Sequence, residues 1–214
     1  MRLNHYTVNP KSGESPKHIV ILLHGYGSNG HDLISLAPYW QEDLPDTVFV
    51  SPDAPFPCEI APESGFQWFP LMERTERAYL AGVEMAAPIL DEYLDDVLDH
   101  YNLSNKNMAL VGFSQGTMMG LYVGPRRKPK IAGILGYSGA LIGENGLSTE
   151  NKVPIQLIHG EDDSVVPVEA YHKAVEFFSS QGFEVGGHTT PGLDHSIDME
   201  GIRSGAKFLG QVLI

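Results

Sequence analysis

The sequence is short of cysteine, of positive charge and of long apolar runs, and each shortage closes off a class of protein. Its single cysteine, Cys58, has no partner in the chain, so no intrachain disulfide framework exists and nothing points to an oxidising compartment; the expected location is cytoplasmic. Only 14 Lys and Arg stand against 27 Asp and Glu, and a formal net charge of −13 repels a phosphate backbone or an anionic bilayer, which argues against a nucleic-acid partner. Unbroken apolar runs such as Ile19–Leu23 fall far below the roughly 18 residues that span a bilayer. The first sixteen residues hold no apolar segment of the secretory kind, so neither stable membrane insertion nor export by such a signal is expected. There is no linker, repeat or low-complexity tract either, because the 23 glycines and 15 prolines are spread along the chain. Residues 1–214 therefore read as one domain, with 42% apolar residues to build a single core.

What is present is an alternation of short apolar runs and longer helical patterns. Ile19–Leu23, Thr47–Val50, Met108–Val111, Ile131–Leu135, Ile155–Ile158 and Phe183–Val185 read as strands, and most are apolar at consecutive positions, as strands covered on both faces are. The clearest helix spans Thr75–Tyr101, where Tyr79, Val83, Ala86, Leu90, Leu94, Val97 and Tyr101 recur every three or four residues; Pro88 is expected to kink or split it. Its acidic residues Asp91, Glu92, Asp95, Asp96 and Asp99 interleave with that stripe as a solvated outer face does. Further helices are expected over Asp32–Trp40, Gln115–Tyr122, Val168–Ser180 and a C-terminal segment ending near Val212. This order predicts an α/β fold, a mostly parallel central sheet with helices on both faces.

Gly112-Phe113-Ser114-Gln115-Gly116 fits G-x-S-x-G, a weak signal as a pentapeptide alone, but it directly follows the Met108 strand and precedes a helix, the setting that exposes a nucleophilic serine at a tight turn. A serine hydroxyl needs a base to take its proton and an acid to orient that base. The chain order nucleophile, acid, histidine restricts the base to His159, His172, His188 or His195. The first three fall in a predicted helix or at predicted strand ends, more often structural positions, whereas His195 lies in the loop Pro191–Ser196 before the last helix. The segment Glu161-Asp162-Asp163 follows the Ile155 strand, and Asp163 is the chosen acid, with Asp162 the runner-up; helix capping is the structural alternative for this cluster. The oxyanion of an acyl-transfer intermediate needs backbone donors, and Gln115, after the serine, and Tyr26, in the glycine-rich loop His24–Gly30, are placed to supply them. That loop lacks the phosphate-binding lysine pattern. His24 and His31 have no third ligand beside them, so no metal is expected. Tyr26, Ser114, Asp163 and His195 each follow a different predicted strand, and in a parallel sheet those ends share one edge.

Leu23-His24-Gly25-Tyr26-Gly27, Gly112-Phe113-Ser114-Gln115-Gly116, Gly160 through Asp163 to Pro167, and Gly192-Leu193-Asp194-His195 together resemble the acyl-protein thioesterase and carboxylesterase family, also called phospholipase/carboxylesterase, over nearly the whole chain. The resemblance implies an α/β-hydrolase fold, a Ser114, Asp163 and His195 triad, an oxyanion hole from the Tyr26 and Gln115 N–H groups, no cofactor, and a homodimer as a common assembly. The chain departs from many relatives in having Thr117 after Ser-Gln-Gly and Pro70 after Trp68-Phe69, positions that bear on acyl-pocket shape.

The connection from Ser138 to Lys152 is only 15 residues long, too short for a separate cap domain, so an open site able to admit an ester or thioester on a bulky carrier is expected. The long irregular stretch Ser51–Met72, with Trp68 and Phe69, is expected to wall the acyl pocket and bind substrate; simple surface packing is the alternative. A noncatalytic small-ligand binding module and a serine peptidase are the competing functional classes.

Overall fold

The computed structural model describes residues 3–147 and 152–214. Its centre is a seven-stranded sheet made of β1 (His5–Val8), β2 (His18–Leu23), β3 (Thr47–Pro52), β6 (Met108–Phe113), β7 (Gly133–Tyr137), β8 (Ile155–Gly160) and β9 (Val185–Thr190), in the spatial order β1-β3-β2-β6-β7-β8-β9. Only β1 runs antiparallel; every other neighbouring pair is parallel.

The consecutive apolar positions of the inner strands have the expected cause. Along β2, Ile19, Ile21 and Leu23 enter one core, while Val20 and Leu22 enter the other. The first core is closed by α3 (Glu76–Tyr101), α4 (Gln115–Val123) and α5 (Glu169–Ser180), through residues such as Leu90, Met119 and Phe178. The second is closed by α2 (Ala37–Trp40) and α6 (Met199–Leu213), which follow the short α1 (Gly30–Leu33), through Trp40, Ile202 and Leu209. The sheet thus has helices on both faces, as the sequence predicts, and every inner strand is desolvated twice.

Several local expectations are corrected. Pro88 does not split α3, which runs unbroken from its Thr75 cap, whose hydroxyl accepts from Ala78 N, to left-handed Asn102. Pro88 is exposed, so water can reach the carbonyl one turn earlier that its ring deprives of a partner. The segment expected as one helix over Asp32–Trp40 is α1 and α2 joined by a 3₁₀ turn at Ile34–Leu36. The irregular stretch Ser51–Met72 contains a hairpin, β4 (Phe56–Cys58) with β5 (Ala61–Gln67). The seventh strand starts at Gly133 and the last at Val185 rather than ending there. As the sheet edge, β9 is half-solvated and carries His188, Thr189 and Thr190, so apolarity does not mark it. In the Ser138–Lys152 connection, residues 148–151 lie outside the described residues, and 138–147 hold neither helix nor strand.

Candidate active site

The carboxyl ends of β2, β6, β8 and β9 place Tyr26, Ser114, Asp163 and His195 along one edge of the sheet. Ser114 sits between β6 and α4 with φ 53° and ψ −116°, a left-handed value that a side-chain-bearing residue adopts only under constraint. The constraint is visible. Ser114 N donates to Tyr137 O at 2.9 Å, and the turn is packed so closely that a Cβ on Gly116 would lie 1.8 Å from Leu23 O, and one on Gly112 2.4 Å from Thr117 N. These two glycines are required by backbone contact between β2, β6 and α4. Gln115 opens α4, so its N–H is among the donors that a helix start leaves without an intrahelical acceptor.

Across the cleft, Asp163 is a buried carboxylate, its side chain fully shielded, with donors at both oxygens. Oδ1 accepts from Val165 N at 2.9 Å and Val166 N at 2.8 Å; Oδ2 lies 2.8 Å from His195 Nδ1 and 3.2 Å from His159 Nε2. Asp162, the runner-up, is exposed, and its N–H bonds Leu193 O at 3.0 Å. The His195 ring is 4.9 Å from that of Phe113, the residue before Ser114. Asp194 Oδ1 accepts from Ser164 N at 2.9 Å, Ser164 Oγ at 2.9 Å and His195 N at 2.8 Å, tying the acid loop to the histidine loop. These donors, the Ser164 N–H first, hold the Asp194 carboxyl below its ordinary value.

On the other side, Tyr26 lies in a loop pinned to the hairpin by Gly27 N to Phe66 O at 2.9 Å and Phe66 N to Ser28 O at 2.8 Å. His24 beneath it is fully buried: Nδ1–H donates to Gly25 O at 2.7 Å and Nε2 accepts from Ala54 N at 2.9 Å, and burial lowers the ring from the ordinary imidazole value.

Ser114 and His195 line one cavity of about 790 Å³, together with Tyr26, Leu33, Leu71, Met72, Tyr79, Met118, Val165 and Val166 and two charged side chains, Asp32 and Arg74. Trp68 and Phe69 do not line it, which corrects the expected substrate-binding pair. Both are fully buried and belong to the core, Trp68 Nε1 donating to His24 O at 3.0 Å and Phe69 packing at Gly82. The Gln115 side chain clamps their backbone, accepting from Trp68 N at 2.9 Å and donating to Phe69 O at 2.8 Å. The pair therefore braces the elbow, the tight turn at Ser114 between β6 and α4, together with the Tyr26 loop, and the wall falls to the next residues, Leu71 and Met72. Among the described residues no three His, Cys, Asp or Glu side chains gather as a metal site requires, and no helix is long and apolar enough to cross a membrane.

Residues 4–213 match the family model described as Phospholipase/Carboxylesterase. The acyl-protein thioesterase 1 of Gibberella zeae is 26% identical over 91% of this chain and 90% of its own length. The esterase YpfH of Escherichia coli is 27% identical over 92% of this chain and 84% of its own. Among solved structures, the crystal structure of esterase PE8 is 39% identical with a TM-score of 0.93, and each chain covers 100% of the other.

Proposed function

From the chain's membership of the phospholipase/carboxylesterase family, and hence its action as an ester-cleaving hydrolase, we propose that Ser114 is its nucleophile, His195 its general base and Asp163 the acid that orients the base. The observation that carries this reading is the 2.8 Å contact between Asp163 Oδ2 and His195 Nδ1, with His195 and Ser114 on the wall of one cavity. A carboxylate accepts, so Nδ1 carries the proton and Nε2 is left to take one from Ser114 Oγ. Oγ attacks the ester or thioester carbonyl, the N–H groups of Tyr26 and Gln115 hold the oxyanion, and His195 returns the proton to the leaving group. Water, activated by the same imidazole, then releases the acid.

The apolar side chains of Leu33, Leu71, Met72, Tyr79 and Met118 suit an acyl chain, so the substrate class is acyl esters and thioesters, with acylated proteins and lysophospholipids as bulky members. Residues 1–214 act as one domain. The free, buried Cys58 fits a reducing cytoplasm, and the assembly proposed is a homodimer, which sedimentation would test.

Replacing Ser114 with Ala should lower kcat by up to about 10⁶, the order seen in a protease triad, while the melting temperature stays near that of the wild type. Near-full activity in that variant, or continued labelling by a fluorophosphonate, would refute the assignment. Asp163→Asn should cost more than Asp162→Asn, and a panel of p-nitrophenyl esters and acyl-thioesters from about two to sixteen carbons would fix chain-length preference.

A further inference from the structure

The proposed triad explains one of the two imidazoles that reach Asp163. His159, on β8, is buried, and its Nε2 lies 2.8 Å from Val166 O and 3.2 Å from Asp163 Oδ2. A carbonyl oxygen only accepts, so Nε2 bears the proton, and that single N–H is shared between the carbonyl and the carboxylate in a three-centre bond. The geometry points to His159 as a positioning residue, one that fixes the rotation of the Asp163 carboxylate so that Oδ2 faces His195. This inference rests on the triad reading above.

The other donors to Asp163 come from softer parts of the chain. Val165 and Val166 belong to the turn that carries Asp163 itself, and His195 comes from the half-exposed loop after β9. Rotation about the last bond of an aspartate is broad and two-fold, so donors that move with the turn leave its angle to the sheet undetermined. His159 is different, because it lies on the buried strand β8, paired with Thr189 of β9 and directly following Ile158, which pairs with both β7 and β9. Its ring is enclosed on the helical side by Tyr171 of α5, with ring centroids 6.5 Å apart at 62°. The imidazole therefore transmits the position of the sheet to the carboxylate, and by holding Val166 O it also closes the turn whose N–H groups bind Oδ1.

A double-mutant cycle tests this directly. His159→Phe keeps a ring of similar size and removes the donor; kcat should fall about ten-fold with KM within about two-fold, a loss of about 1.4 kcal/mol at the transition state. In an Asp163→Asn background the same substitution should cost less than about two-fold, because the group it acts through has already been altered. His159→Gln, whose amide N–H reaches a similar point, should restore most of kcat. An equal loss in both backgrounds, or a change confined to KM, overturns the positioning role. Should His159→Phe not fold, His159→Asn replaces it, its amide being one bond too short: equal kcat in the Asn and Gln variants would then overturn it. Near-full activity of Asp163→Asn alone would instead sink the triad itself.

Discussion

Around Ser114 the chain is held by backbones pressed against one another, whereas around Asp163 and His195 it is held mainly by carboxylates. Gly112 and Gly116 let β2, β6 and α4 touch, and Trp68, Phe69 and Gln115 lock the Tyr26 loop to the elbow from within the core. On the side of Asp163 and His195 backbones also press together, at Gly160 against Leu193 O and within the sheet at Gly187 against Leu157 O, but the loops that carry the two side chains are joined chiefly by hydrogen bonding to Asp163 and Asp194 from turns that are largely exposed. Steric fit is indifferent to pH and intolerant of added atoms; carboxylate-centred bonds tolerate changes of shape and respond to charge. The half that carries the proposed nucleophile is thus expected to fail by unfolding, and the half that carries the proposed base to fail by losing activity.

The sharpest way to break that contrast is Gly116→Ala. The new methyl would sit 1.8 Å from Leu23 O, with no flexible side chain to give way, so α4 and β2 must part. A cost at or above the ~3 kcal/mol upper end of ordinary overpacking is expected, seen as loss of folded protein or a steep drop in urea midpoint. A variant as stable as wild type would show that the elbow is not sterically fixed. Next comes Trp68→Ala, expected to cost about 3 kcal/mol as a buried aromatic truncation while leaving the order of preferred acyl lengths unchanged, since the ring is in the core. A shifted chain-length optimum would return Trp68 to the pocket wall.

The same contrast decides what the sequence makes legible. The elbow can be read because β6 is apolar at successive positions and ends at the serine, and because Gly112 and Gly116 have a single steric meaning there. Chain order and strand ends single out Asp163 and His195, which the fold brings within 2.8 Å of each other. Which way Trp68 and Phe69 face cannot be read, because an aromatic residue in a loop has the same composition whether its ring turns inward or outward. His159 and Asp194 are missed for a related reason: each acts through a neighbour and makes no pattern of its own, although the four-residue step from His159 to Asp163, across the end of β8, is a spacing worth testing. The edge strand β1 escapes, and β9 is expected too early along the chain, because one-sided burial removes the apolar run.

Titration sharpens the comparison at its one exception, since the nucleophile half holds a single deeply buried imidazole. Burial lowers the His24 ring below the ordinary 6.5, so between that value and the lower folded one the unfolded chain binds more protons than the folded chain. Stability from neutral His24 is intact above pH 6.5 and erodes as pH falls toward the folded value, at about 1.4 kcal/mol for each unit of lowering. Urea unfolding at about pH 7.5 and 5.5 should show wild type losing more stability than His24→Asn. Parallel losses would mean that other groups carry the acid sensitivity.

The mildest expected effect falls on the other half, at Asp194. Its carboxylate accepts three bonds, two from Ser164 that join the loops of Asp163 and His195 and one from His195 within its own loop, yet it is exposed, so Asp194→Ala should lower kcat/KM about five-fold with little change in melting temperature. Because the folded carboxyl is held below 3.8, the clip is complete above that pH and is lost only as pH falls through the folded value. Wild type and variant should therefore differ by a constant factor across the neutral range. A factor that shrinks between about pH 7 and 5 would mean that the loops are joined by something that titrates far above a stabilised carboxylate, and a large fall in melting temperature would mean that this half too is held by packing.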